Sequence, residues 1–149
     1  LRVSTLLLEA RAEASAPDGK GCIPLPCAAL AGKTAICRLL LEASAKVDAR
    51  GAKGSVAVKG FDSPSGGGAA ALSVAAACGD GELTKLLLEY RADCEVTDER
   101  GLTPLMAVAV KGHCELCELL LAARANVDAK EADSGKTALL LAASAGRSA

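Results

Sequence analysis

The chain has 149 residues, half of them hydrophobic and almost none aromatic, and its 17 basic and 18 acidic residues leave a formal charge of −1. Charges so scattered in sign supply no electrostatic footprint for nucleic acid or for an acidic membrane surface. Seven cysteines, an odd count without a small disulfide-rich framework, read as thiols of a reducing, intracellular and cytoplasmic setting, mostly at positions where sister segments carry Val, Ala, Thr or Ser.

In chain order, the first element is a leucine segment at 6–14 (L-L-L-E-A-R-A-E-A), and close copies follow at 39–49, 86–96 and 119–129. Their spacings of 33, 47 and 33 residues predict one helical unit stacked on copies of itself. The expected organisation is a single array over 1–149: a partial unit at 1–16, a unit at 17–49, a unit at 50–96 carrying an inserted loop at 50–67, a unit at 97–129 and a truncated one at 130–149. The chain opens on Leu1 and begins and ends mid-unit, which reads as a fragment flanked by further repeats or other domains, with uncapped apolar faces at both ends. The opening residues do not make a signal peptide, because Glu9, Arg11 and Glu13 interrupt the apolar run. The longest uncharged stretch, 63–79, holds Pro64 and Gly66 to Gly68, so it is not a lipid-facing helix.

The best-preserved unit runs over 98–130. Gly101 closes a turn, Thr103 is placed to cap, and Pro104 stands at the first helical position, where a missing N–H costs nothing. A short helix over 105–111 ends at Gly112. A second helix over about 114–123 carries Leu116, Leu119, Leu120 and Cys117 as an i, i+3, i+4 stripe toward the first. An outward turn at Arg124, Ala125 and Asn126 then leads through Val127-Asp128-Ala129 toward the next unit.

This unit resembles an ankyrin repeat: a Gly turn, T-P-L-H, A-A, G-H, a leucine helix and a closing G-A-D-V-N are matched by Gly101, Thr103-Pro104-Leu105, Ala109, Gly112-His113, Leu119 to Leu121 and Ala125 to Asp128. Gly21, Pro24-Leu25, Ala28-Ala29 and Gly32 repeat the pattern, as do Gly68, Leu72, Ala75-Ala76 and Gly79, and then Gly135, Thr137-Ala138-Leu139, Ala142-Ala143 and Gly146. The resemblance implies an all-α solenoid of stacked helix-turn-helix units with short β-hairpin-like fingers. Two departures stand out. The His of T-P-L-H is replaced by Pro26, Ser73, Met106 and Leu140, so its tie between neighbours is expected to be weaker. The Gly after the second helix is Arg11, Ser44, Arg91 or Arg124, at a cost on the order of 1 kcal/mol each if the turn is left-handed.

Residues that could carry chemistry are better read as parts of the unit. Two G-K-T triplets, Gly32-Lys33-Thr34 and Gly135-Lys136-Thr137, lack the Gly five residues earlier that a phosphate loop needs, having Cys27 and Lys130 there instead. His113-Cys114-Glu115-Leu116-Cys117 resembles half of a zinc site, but no second ligand pair has suitable spacing and His113 is the single histidine. Glu82, Lys85 and Glu89 form a solvated face at helical spacing. No catalytic residue, metal ligand or cofactor is therefore expected.

What remains is surface. The resemblance places the first helices and fingers along one concave side, with an apolar floor of Cys27, Leu30 and Ala31, then Val74, Ala77 and Cys78, then Ala107, Val110 and Lys111. Charged tips at Asp18, Lys20, Arg50, Lys53, Asp98, Glu99 and Arg100 form the rim, and Phe61 on the inserted loop is a candidate anchor. Such a groove suits a peptide or a folded protein better than a metabolite. From these residues the partner-binding candidates are Leu30, Val110 and Lys111 on the helices, together with those tips and Phe61. The expected function is a non-catalytic protein–protein interaction module. The alternative is the targeting region of a larger enzyme, such as a kinase or ubiquitin ligase, with its catalytic domain outside the fragment; a third is a transport or membrane-skeleton role joined to membrane segments outside it.

Overall fold

The computed structural model describes residues 2–51, 68–98 and 100–146, and every described element in it is helical. The helices are α1 (Arg2–Glu9), α2 (Pro24–Leu30), α3 (Thr34–Glu42), α4 (Ala71–Cys78), α5 (Gly81–Glu89), α6 (Pro104–Lys111), α7 (Cys114–Ala122) and α8 (Ala138–Ser144). Pairs α2–α3, α4–α5 and α6–α7 are neighbours in sequence and in space. One row stacks α2, α4, α6 and α8 in order; the other stacks α1, α3, α5 and α7. The result is an all-α solenoid.

Local chemistry sets the helix ends. Pro24 and Pro104 stand in the first turns of α2 and α6. Thr103 and Thr137 accept from the amides of Met106 and Leu140, both at 3.4 Å, and Asp80 accepts from Leu83 at 2.9 Å, each satisfying an N–H that the helix leaves unpaired. At the far ends of α4 and α6, Gly79 and Gly112 adopt φ of 76° and 75°.

Second helices close through the same turn, but on residues other than glycine. Arg11, Ser44, Arg91 and Arg124 have φ between 61° and 66°, so all four take the left-handed turn despite carrying a Cβ. In each case the next residue reaches five back: Ala12 to Leu7, Ala45 to Leu40, Ala92 to Leu87 and Ala125 to Leu120, at 2.9 to 3.0 Å. That pairing satisfies carbonyls the helix end would otherwise leave open.

Between the rows lies a continuous apolar core, deepest at Leu25, Leu72, Leu83, Leu87, Met106 and Leu120. Leu116 and Leu120 of α7 are buried, with Cys117 and Leu119 packed partly against them, as the leucine periodicity predicts. Every residue of α4 from Ala71 to Ala77 is buried, because α2, α5 and α6 close around it. A helix apolar on all sides belongs in that position.

A regular polar tie joins successive units. The side chain of Ser15 accepts from the amide of Lys46 (2.9 Å), Asp48 from Asp93 (2.9 Å) and Glu95 from Asn126 (2.8 Å). Each acceptor lies four residues past a left-handed turn residue, and each donor two past the next one. At the positions of the absent histidine, Pro26 and Met106 are buried, Leu140 is exposed, and the Ser73 hydroxyl donates to the Val96 carbonyl at 3.4 Å.

Candidate partner-binding surface

Finger tips are built around carboxylates. In the second unit the Asp18 side chain accepts from the amides of Lys20 and Cys22, both at 2.8 Å, while its own amide donates to the Cys22 carbonyl at 3.0 Å. Those amides, Cys22 first and Lys20 next, hold its carboxyl below the ordinary carboxylate range. Asp98 repeats the arrangement, accepting from the amides of Arg100 and Leu102 at 2.9 Å through one oxygen and meeting Arg100 Nη2 at 3.4 Å through the other. Two main-chain bonds close each of these turns, Asp18 to the Cys22 carbonyl and Gly21 to the Asp18 carbonyl in one, Asp98 to the Leu102 carbonyl and Gly101 to the Asp98 carbonyl in the other.

The same geometry corrects the rim. Asp98 is buried, its lone pairs directed at its own turn, so it shapes the finger instead of presenting a charge. Asp18 does similar work but stays exposed, as do Lys20, Arg50 and Arg100. Arg50 Nη2 reaches the Thr97 hydroxyl of the next finger at 3.3 Å. Between these fingers lies a polar cleft of about 410 Å³ lined by Arg50, Thr97, Asp98, Arg100, Ala132 and Asp133, among others. Lys53, Phe61 and Glu99, and the inserted loop from residue 52 on, lie outside the described residues.

The floor is corrected too. Leu30, Val74 and Ala77 are 5%, 2% and 4% exposed, so none of the three is open as expected. Adjacent first helices approach through small side chains and cover one another's apolar positions. Ala31, Cys78 and Lys111 are exposed, and Cys27, Ala107 and Val110 are half-buried. Lys111, in the last turn of α6, sends its Nζ back to the Ala77 carbonyl at the C-terminal end of α4, where a cation is favoured.

The remaining motifs fall into turns. Gly32 ends α2 with φ of 61°, Lys33 precedes α3, and Gly135 (φ 65°) leads to Thr137, the cap of α8. His113 precedes α7 and lies against Gly79, so closely that a Cβ there would stand 2.7 Å from Nε2. Cys37 is fully buried, and burial pushes its thiol up to about 11, with Asp80 adding to the effect. Among the described residues no three His, Cys, Asp or Glu gather as a metal-holding group, and no helix is long and apolar enough to cross a membrane.

The polar tie between units escaped sequence reasoning, since its acceptors differ chemically (Ser, Asp, Glu) and its donors are main-chain amides. The available signal was positional: each acceptor stands at the same offset from the leucine segment.

Comparison with known proteins agrees with this architecture. A family model described as ankyrin repeats in three copies matches residues 72–149, and a single ankyrin repeat model matches 20–52. The chain is also similar to the ankyrin repeat and KH domain-containing protein mask-1 of Caenorhabditis elegans, 42% identical over 66 residues. That match covers 44% of the chain and 2% of the relative.

Proposed function

We propose, from the premise that the chain belongs to the ankyrin-repeat family, that it binds a protein partner across its first helices and finger turns without catalysing a reaction. Ankyrin repeats are generally protein-interaction modules, and the observation that carries the reading here is that Lys20, Arg50 and Arg100 are exposed cations on successive fingers. Arg50 and Arg100 share one cleft, and the contacts described for their side chains, with Thr97 and Asp98, use few of the donors a guanidinium carries. Below the tips, Ala31, Cys78, Val110 and Lys111 give a narrow mixed floor. A polar rim over a modest apolar strip fits a peptide or a protein surface.

The test is a pull-down comparing the chain with a variant carrying Lys20→Ala, Arg50→Ala and Arg100→Ala, checked for unchanged helicity. Loss of partners retained by the parent chain is the expected result. An unchanged set of partners would move binding to another face.

A further inference from the structure

Cys114 and Cys117 are the first and fourth residues of α7. With a rise of 1.5 Å per residue, 3.6 residues per turn and a radius of 2.3 Å, helical Cα atoms three apart are about 5 Å from each other. That falls within the separation a disulfide spans, roughly 4.4 to 6.8 Å. The Cβ atoms of such a pair start somewhat too far apart and must close by an ångström or two, roughly from 5–6 Å to 3.8 Å. The first turn is where a helix yields most easily, because its leading amides have no intrahelical partner.

The two thiols differ in exposure. Cys114 is exposed, its Sγ 3.6 Å from the Gly112 carbonyl, and it borders a cleft of about 260 Å³ shared with Gly79, His113 and Glu115. Cys117 is half-buried against the core, and its thiol is pushed up, first by burial and then by Cys114. Stacking explains Cys117, whose place in the other second helices is taken by the buried Cys37 and Thr84. It does not explain Cys114, which stands where those helices have Thr34 and Gly81.

We propose that Cys114 and Cys117 form a redox dithiol, which small-molecule disulfides oxidise to a bond within the first turn of α7. The Cys114 thiol gives its proton to solvent and attacks one sulfur of the reagent disulfide. A mixed disulfide forms and one thiolate leaves. Deprotonated Cys117 then attacks Cys114 Sγ and expels the second thiolate. The two protein thiols are oxidised, the reagent is reduced to two thiols, and the two protons end on those products. The bond staples the turn that begins beside His113, which rests on Gly79 of the preceding helix pair.

The experiment is to equilibrate the whole chain with oxidised and reduced glutathione in rising ratio, block remaining thiols by alkylation, and map peptides. Trypsin cleavage after Lys111 and Arg124 puts both thiols in peptide 112–124, and cleavage after Lys20 and Lys33 puts Cys22 and Cys27 in peptide 21–33. The expected product is peptide 112–124 lighter by two hydrogens and unalkylated. In Cys117→Ser the reaction should halt at a glutathione adduct on Cys114; in Cys114→Ser, Cys117 should be alkylated without an adduct. Full alkylation of 112–124 at every ratio would overturn the proposal. So would closure of 21–33 while 112–124 stays reduced, or an equal adduct on Cys117 in Cys114→Ser. The parent chain alone decides the first two outcomes, so a poorly folded variant leaves the test intact.

Discussion

Helices α4 and α8 have nearly interchangeable sequences, A-L-S-V-A-A-A-C and A-L-L-L-A-A-S, yet opposite surroundings. In α4 seven consecutive residues are buried; in α8 only Ala138 is, and Leu139 is 80% exposed. Helix α1 resembles α8, with Val3, Leu6 and Leu7 all exposed. Burial in this architecture is conferred by neighbours and not by a helix's own composition. The same leucine is a core residue in the middle of the stack and a surface residue at its edge.

The sharpest way to break that comparison is to truncate matched leucines. Leu72→Ala, in α4, should cost about 3 kcal/mol in denaturant unfolding, because it empties a site closed on all sides. Leu139→Ala, at the matching position of α8, should stay within about 0.5 kcal/mol. Equal losses would mean that neighbours do not set the burial.

Two glycines refine the contrast at the scale of the turns. Gly79→Ala should cost about 2 kcal/mol, combining roughly 1 kcal/mol for a left-handed Cβ with displacement of the His113 ring. Gly32→Ala has φ of 61° but open space around it, so only the strain of about 1 kcal/mol applies. Adding His113→Ala to Gly79→Ala should recover the difference, measured as a double-mutant cycle.

A further effect is confined to alkaline pH. Burial raises the Cys37 thiol from 9.0 to about 11, so folding disfavours its thiolate. Its contribution to stability is complete below 9.0 and is lost as the pH climbs from there through about 11. Unfolding followed across that range should show the decline, and Cys37→Ala should lessen it. The exposed Cys78 sits at the opposite extreme of accessibility and should be alkylated well before Cys37.

Much of this was legible in the residues themselves. The leucine spacing gave the helix pairs, Pro104 and Thr103 gave a start, Gly112 gave a stop, and the four residues after the second helices were placed in a turn they do adopt. These features are local, and local chemistry determines them. Leu30, Val74 and Ala77 were misplaced because their burial depends on how closely first helices approach, a distance no single unit encodes. Asp98 was misplaced because an aspartate in a turn looks the same in sequence whether it points to solvent or to its own amides.

The acceptor–amide tie also bears on the lengthened third unit. Asp48 holds the Asp93 amide and Arg50 holds the Thr97 hydroxyl, so the upstream flank of the extra residues is clamped by partners more than forty positions downstream, while the downstream flank is held by the burial of Ala69 and Ala70. Chain-closure entropy grows slowly once the ends are pinned. Changes in the length of the insertion should therefore disturb the order of the leucine stack little.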